Sequence, residues 1–378
     1  MTISECDVAV IGAGAAGTMA AIFAAENGAR VLLLERTKDG GRKILISGGG
    51  RCNVLPSEIS PAQYFTASSR NSLKKILLSW PLADQKRYFE KDLRIPLALE
   101  EESGKLFPVS NKARDVRDAL IERARNAGVR IQYNAYVTDL QPPDARRPTP
   151  DAGWTIKLDN KEHINARRLI IATGGLSVPA TGSDGTGLRI LQKLGHTINS
   201  LYPALTPLVC NPPRHGDLAG ISLNVTLTAK SLQTNGGFLF THRGYSGPSV
   251  LDISHVAIIG REPIEVQWTT RDARSWEDLF LNTTSTVGSL VRRELPVRLA
   301  DALLHEAGVD AEVTTSQLRK DARARLVHAL ARYELPYTGD EGYKKAEVTG
   351  GGVALSEVDP RTLESRVHAG LFLCGEVL

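Results

Sequence analysis

Six residues near the N-terminus, Gly12-Ala13-Gly14-Ala15-Ala16-Gly17, have the types and spacing to hold a pyrophosphate. In such a turn the first glycine permits the tight bend, the second leaves room for phosphate oxygens beside the backbone, and the third lets a helix pack closely on the preceding strand. Ala15 and Ala16 would open that helix, whose unpaired N–H groups and dipole favour an anion. Glu35 follows Gly17 by eighteen residues, at the end of the next apolar run, and its carboxylate would accept hydrogen bonds from adenosine ribose hydroxyls. A carboxylate there repels a 2′-phosphate, so the site is read as one for FAD or NAD and not NADP.

Two further glycine clusters separate those alternatives. The stretch 40–53 places Gly49 and the cations Arg42, Lys43 and Arg51 just past Glu35, where N–H groups would cradle an electron-rich group and the cations would offset pyrophosphate charge. A nicotinamide dehydrogenase has no need of such a loop. Thr173 and Gly174 follow an apolar run at 168–172, with small residues that let backbone approach the adenine side of a ligand. Together the clusters favour FAD.

The chemistry of a flavin belongs to the cofactor, so the chain must hold the ring and place a donor beside it. Asn53, with amide donors and an acceptor, suits the ring's edge atoms. His242, followed by Arg243 and Tyr245, is read as an acid able to give a proton to a reduced substrate. Cys52 beside Arg51 has two readings, a reactive low-pKa thiol or a small buried residue, and the second is preferred. His196, His215, His255 and His328 show no metal-ligand spacing, and no metal is assigned.

The elements that position these residues follow from periodicity. A strand over 6–11, a helix over 15–27 ending at Gly28, and a strand over 30–35 make a βαβ unit, the start of a parallel sheet. The stretch 40–53 reads as a loop, and 113–127 as a helix stopped by Gly128. Short strands at 129–133, 136–140, 154–158 and 168–172, with a loop at 142–150 and a turn at 159–160, read as an antiparallel excursion. From about 197 the chain turns to strands: Ile221, Leu223, Val225 and Leu227 alternate with polar residues, and Asn235-Gly236 is a hairpin signal. Residues 275–333 switch to helices, with Pro296 read as an N1 proline, Gly308 as a stop, and Leu318, Ala322, Leu326 and Leu330 as an apolar stripe.

The whole is 378 residues with 42% hydrophobic and 23% charged, enough for two or three packed domains and not a disordered chain. A net charge of +4 and a pI near 8.8 make a weak field that neither demands nor excludes an anionic partner. Four scattered cysteines without a C-x-x-C pair indicate neither a disulfide framework nor a zinc knuckle. No apolar run spans a membrane, and the first strand starts too early for a signal peptide, so a cytoplasmic location with no membrane partner is expected.

GRKILISGGGRCN at 41–53, ATGG at 172–175 with Gly182-Ser183-Asp184-Gly185-Thr186-Gly187, FTHRGYSGPSVLDIS at 240–254, and KKAEVTGGGVALSEVDPRTLESR at 344–366 resemble one bacterial family. It is the FAD-dependent oxidoreductase family that includes aminoacetone oxidase and a dehydro-bile-acid reductase, and the resemblance covers nearly the whole chain. It implies an α/β fold: a Rossmann-like, glutathione-reductase-like FAD-binding domain with an inserted β-barrel or sandwich-like domain that carries a small helical insert. The corresponding boundaries are 1–195 and 335–378 for the FAD-binding domain, 196–274 for the β-domain and 275–334 for the helices. It also implies that 41–53 lies along the FAD and that Gly375 and Glu376 meet the cofactor near its ribityl and pyrophosphate part. One departure is that family members continue past Gly375-Glu376-Val377-Leu378 with a further glycine-rich segment closing over the flavin, so part of that wall is expected to be missing.

The leading reading is an FAD-dependent oxidoreductase acting on a small molecule. It would reduce a conjugated C=C with electrons from NADH or NADPH, visiting transiently because only one dinucleotide fingerprint is present, or oxidise an amine with oxygen. An NAD-dependent dehydrogenase is disfavoured by the second glycine loop. A flavin-containing RNA-modifying or nucleic-acid-associated protein is the alternative from another class, suggested by the pI and by Arg319, Lys320, Arg323, Arg325 and Arg332. A solvated helix face is the preferred reading of those five, and nucleic acid is not the expected partner. An inactive fragment is the remaining alternative.

Overall fold

The computed structural model describes residues 4–143 and 153–378. The chain forms two compact units, one built from residues 1–201 and 351–378, the other from 202–350. Most of the loop read at 142–150 lies outside the described residues.

In the first unit, strand Ser4–Ile11 is flanked by two parallel neighbours, Val31–Leu34 and His163–Ile171, with Ile11 opposite both Leu34 and Ile171. Alternation along these strands feeds two cores. Ala9, Ile11, Leu32 and Leu34 pack into one, and Val10, Val31 and Leu33 into the other, so both faces are covered as a parallel sheet requires. Strand His163–Ile171 has two partners on its far side. Its first half pairs antiparallel with Trp154–Leu158, and its last residues pair parallel with Leu371–Leu373, which places Leu373 opposite Ile171. The antiparallel excursion is therefore Val137–Gln141, Trp154–Leu158 and the start of His163–Ile171. Arg130–Gln132, read as part of it, instead pairs parallel with Val31–Leu34 and extends the Rossmann sheet, because helix Ala113–Asn126 returns the chain to that edge.

The stretch 40–53 is not all loop. Gly41, with φ of 71°, starts a short helix Arg42–Ile46, followed by a 3-10 turn Ser47–Gly50 whose Gly48 and Gly49 also have positive φ. An added Cβ on Gly48 would sit 2.9 Å from the Asn53 nitrogen, so this coil tolerates only glycine where it turns back on itself.

The second unit is a seven-stranded antiparallel sheet and not a pair of packed sheets, with helices completing its core. Phe238, Phe240, Tyr245 and Trp268 form the aromatic centre of that core, and Leu290, Leu303, Leu326 and Leu330 from the helices join it. The helices read as an insert thus share one core with the strands. The hairpin of Ser222–Ala229 and Leu232–Phe240 turns at Lys230 and Ser231, not at Asn235-Gly236. Asn235 sits inside the second strand opposite Thr226, because this register keeps Val225, Leu227, Phe238 and Phe240 buried together. Pro296 is the N-cap of Val297–Ala307 and not its first residue, and Gly308 caps the other end at φ 64°. The return to the first unit comes at 351 and not 335, since Tyr333–Glu334 and Gly339–Asp340 are edge strands of the second sheet.

Candidate functional site

Four adjacent parallel strands end at the same level, and each is followed by one of the residue clusters read from the sequence. In register, Ile11, Leu34, Ile171 and Leu373 are neighbours. Gly12, Glu35, Ala172-Thr173 and Cys374-Gly375 come next, at the carboxyl ends where open α/β sheets bind ligands. The glycines there have steric work. A Cβ on Gly12, whose φ is 102°, would come within 2.5 Å of the Ala172 carbonyl oxygen, and one on Gly17 would come within 1.9 Å of the Gly12 carbonyl oxygen. Gly14 differs, since a Cβ there would meet nothing within 4 Å. Above Gly14 is open space, facing the start of helix Ala15–Glu26, which no side chain caps.

Glu35 is buried and accepts three hydrogen bonds: from the Ala13 nitrogen at 2.9 Å, the Thr37 nitrogen at 2.8 Å and the Thr37 hydroxyl at 2.7 Å. Two of these fall on one oxygen, so the oxygen facing Ala13 retains an accepting direction. The cleft beside it is lined by Gly12, Thr173 and the apolar Val137, Leu140 and Ile190. Its mouth is framed by Asp184 and Thr186 of the run 182–187 and by Arg36 and Tyr136, to which the sequence reading gave no role. Arg36 pairs with Asp184 at 2.5 Å and lies over the Tyr136 ring at 4.6 Å, while Tyr136 and Thr186 share a 2.9 Å hydrogen bond. Burial pushes the Asp184 carboxyl up, but Thr186 and Arg36 together hold it below its ordinary range. The glycine-rich run 182–187 was the signal for this wall, although its side-chain partner Arg36 carries no motif of its own.

The residues fit a dinucleotide. Thr173 Oγ1 is buried without a hydrogen-bond partner among the described residues, Glu35 has an acceptor to spare, and the helix start and the space above Gly14 suit a pyrophosphate.

The three cations of 41–53 are each matched by a carboxylate. Arg42 pairs with Asp39 at 2.6 Å, and Arg51 with Glu100 at 2.8 Å while stacking over Phe107. Lys43 Nζ reaches both Glu376 Oε2 and Ser177 Oγ at 2.5 Å, and Ser177 donates to Glu376 Oε1. Charge for a pyrophosphate would therefore come from the helix start and backbone N–H groups more than from these side chains. Gly375, at φ 76°, lets the return segment pass Ala16, since a Cβ would lie 2.8 Å from the Ala16 Cβ. Gly174 likewise leaves space for Ser183, whose hydroxyl a Cβ would meet at 2.7 Å.

Asn53 is exposed at the end of the glycine coil, whereas Cys52 is buried, and burial raises its thiol pKa, which suits a packing role. Burial also pushes the Cys374 thiol up to about 12. His242 lies exposed in the second unit, in a groove with Thr241, Arg243, Glu341 and Lys345. Helix Lys320–Ala331 buries Leu326 and Leu330, and its Arg323 and Arg325 pair with Glu277 and Asp321. Among the described residues, no three His, Cys, Asp or Glu side chains gather as metal ligands would, and no helix is long and apolar enough to cross a membrane.

The family described as HI0933-like protein Rossmann domain is matched by residues 6–378. The chain belongs to the HI0933-like family. The family's Rossmann-like, FAD-binding α/β fold is what the first unit displays, and the HI0933-like chain is a flavoprotein oxidoreductase. It is 30% identical to a ribosomal RNA dihydrouridine synthase of Escherichia coli over 98% of this chain and 91% of that one. A ribosomal RNA dihydrouridine synthase of Haemophilus influenzae is also 30% identical, over the same 98% and 91%. A 3-dehydro-bile acid delta(4,6)-reductase of Clostridium scindens is 28% identical over 98% of this chain and 92% of that one. Among solved structures, a 3-ketosteroid-delta4-(5alpha)-dehydrogenase of Rhodococcus jostii shares the fold with a TM-score of 0.53 at 17% identity, covering 99% of this chain and 91% of that one.

Proposed function

We propose that this protein uses FAD to reduce a carbon–carbon double bond conjugated to a carbonyl, and that its substrate is a uracil base in ribosomal RNA. The observation that carries the reading is the end-to-end similarity to two ribosomal RNA dihydrouridine synthases, together with a dinucleotide cleft whose elements are in place. The bile-acid reductase supports the bond type. Uracil C5=C6 is conjugated to the C4 carbonyl as a steroid C4=C5 is to the C3 carbonyl, so one reaction serves both. A hydride adds to the carbon β to the carbonyl, a proton adds to the α carbon, and NADH or NADPH is oxidised in balance. These names describe reductions, which favours a reductase over an amine oxidase.

FAD, when bound, supplies the hydride. The chain's own residues hold it: the start of helix Ala15–Glu26 takes the pyrophosphate, Glu35 accepts from the ribose, and Thr173 offers its unpartnered hydroxyl. Lys43, Ser177 and Glu376 hold the return segment, where Glu376 can accept from the ribityl chain. Asn53 is assigned to the flavin edge, and His242 to delivery of the proton to the α carbon. The cytoplasm supplies both the nicotinamide donor and the RNA.

The test is anaerobic incubation of the FAD-loaded protein with NADH or NADPH and deproteinised bacterial ribosomal RNA, followed by mass spectrometry of the nucleosides. Dihydrouridine appearing only with protein and donor supports the reading. Flavin that reduces without forming dihydrouridine, yet turns over a 3-keto-Δ4 steroid, would establish the second reading, a small-molecule enone reductase, which the bile-acid relative favours. His242→Ala is expected to leave flavin reduction unchanged and to lower product formation about 10²-fold or more.

A further inference from the structure

Several cations of the first unit are matched by acids. Arg30, Arg36, Arg42, Lys43, Arg51 and Arg123 each have a carboxylate at hydrogen-bond distance. The segment 57–78 has a local excess of bases. It carries one acid, Glu58, against Arg70, Lys74 and Lys75. Those three bases are exposed, and none has an ion-pair partner among the described residues.

The local structure explains how they are displayed. Ser69 caps helix Arg70–Leu77 by accepting from the Ser72 nitrogen, and Ser68 accepts from the Leu355 nitrogen at 3.3 Å, which ties the segment to the C-terminal return. Leu73, Ile76 and Leu77 form the half-buried face. Asn71, Lys74, Lys75 and Leu78 recur at i, i+3, i+4 and i+7, and they line a shallow groove on the opposite face. Just before the helix, Tyr64 and Phe65 are 44% and 57% exposed, unusual for large aromatic side chains. Exposed lysines on a helix and exposed aromatic side chains shortly before it in the chain are the two kinds of group a single-stranded nucleic-acid surface uses: cations for phosphates and aromatic rings for unstacked bases.

We propose that residues 64–78 form an RNA-docking surface, with Lys74 and Lys75 on phosphates and Tyr64 and Phe65 against bases. This inference rests on the RNA reading of the substrate. It assigns the contact to this segment and not to helix Lys320–Ala331, where two of the arginines are already neutralised by Glu277 and Asp321.

The experiment measures binding of the 378-residue, FAD-loaded chain to deproteinised bacterial ribosomal RNA across a salt series. Wild-type protein is expected to bind with salt-sensitive affinity. The double variant Lys74→Glu, Lys75→Glu should weaken binding at least about tenfold and make the slope of log affinity against log salt shallower by roughly 1.4, about 0.7 for each lost single-strand contact. Tyr64→Ala with Phe65→Ala should weaken it about tenfold with the slope unchanged. Reversal of Lys320 and Arg332 to Glu should change affinity by less than about twofold. Flavin content and NAD(P)H-driven flavin reduction report that each variant is folded. If wild type binds and forms dihydrouridine while the Lys74/Lys75 reversal leaves affinity and slope unchanged, the docking surface is wrong and the RNA reading stands. If wild type neither binds nor modifies the RNA, both fall. Wild type that ignores RNA but pellets with phosphatidylglycerol vesicles through these lysines overturns the proposal in favour of a membrane surface.

Discussion

Lys43 and Glu376, 333 positions apart in the chain, meet at 2.5 Å and join the glycine-rich coil to the end of the last strand, with Ser177 bonded to both. Their side chains are 30% and 20% exposed, so the pair is partly shielded and neither charge is fully solvated. Removing one partner leaves the other charged, half-buried and short of a hydrogen bond. Lys43→Met or Glu376→Gln is expected to lower stability by about 1–2 kcal/mol, measured by urea unfolding. The double variant should lose less than the sum of the two, because neither stranded charge remains. Strict additivity would show that the pair does not couple these segments.

Gly14 and Gly12 should respond to the same substitution in opposite ways. Gly12→Ala places a Cβ within 2.5 Å of the Ala172 carbonyl oxygen at a φ of 102°, and should destabilise the apoprotein by about 2–4 kcal/mol. Gly14 has φ −76° and a clear 4 Å around the missing Cβ, so Gly14→Ala should leave apoprotein stability within about 0.5 kcal/mol. It should still cost FAD affinity at least about tenfold, since the methyl would occupy space assigned to the pyrophosphate. Thermal unfolding without FAD and FAD titration of the same samples separate the two effects. A Gly14→Ala protein that binds FAD normally would displace the cofactor from this turn.

The turns at the carboxyl end of the first unit's sheet were legible because a tight βα turn constrains backbone, and backbone constraint is written in glycines. Gly12, Gly14, Gly17, Glu35 and Thr173 carry the information locally, and the parallel register brings their strands to one edge. Side-chain partnerships were not legible. Nothing in the local pattern pairs Arg51 with Glu100, or Lys43 with a carboxylate at the far end of the chain, because such contacts depend on how distant segments pack. The Asn235-Gly236 signal misled for a related reason. The turn preference of that dipeptide is worth less than burying Val225, Leu227, Phe238 and Phe240 in one core, and the register followed the core. The helices after 273 were readable as helices, but that they complete the second sheet's core was not.

His196 gives the first unit a pH-dependent contribution. Its ring is buried between Glu357, at 3.0 Å from Nδ1, and the Ser365 hydroxyl, at 2.9 Å from Nε2. Burial holds its pKa below the ordinary 6.5, outweighing the Glu357 carboxylate that pulls it up. The neutral ring donates from Nδ1 to Glu357 and accepts from Ser365. Because the folded chain resists a proton that the unfolded chain accepts, stability is full above the unfolded value and declines as pH falls below about 6.5. His255, also lowered by burial, adds to the same trend in the second unit. His196→Asn should lower stability at neutral pH and flatten its decline between about pH 6.5 and 5. An unchanged slope in urea unfolding at the two pH values would remove His196 as a source of it.

In the second unit, Glu306, at the surface, gathers the buried His215 and Tyr333 into a polar set that should behave as one cooperative element. Its carboxylate accepts from His215 Nε2 at 3.0 Å, from the Tyr333 hydroxyl at 2.7 Å and from Arg214 at 3.2 Å. His215 Nδ1 accepts in turn from the Tyr245 hydroxyl at 2.8 Å, which fixes the tautomer with the proton on Nε2. Burial pushes the Glu306 carboxyl up, yet His215 and Tyr333 together hold it below its ordinary range, so it is ionised at neutral pH. Glu306→Ala leaves the Tyr333 hydroxyl without its acceptor and His215 Nε2 with only the Tyr333 oxygen at 3.1 Å, and should cost about 2–3 kcal/mol. Tyr333→Phe removes one donor to Glu306 and the 3.1 Å contact with His215 Nε2 but leaves the His215 and Arg214 bonds to Glu306 in place, so about 1 kcal/mol is expected. Measured by urea unfolding, Glu306→Ala should lose more than Tyr333→Phe by at least about 1 kcal/mol, because only the first change removes the acceptor that His215, Tyr333 and Arg214 share. Equal losses would mean that the Tyr333 bond alone matters and that the rest of the set is solvated.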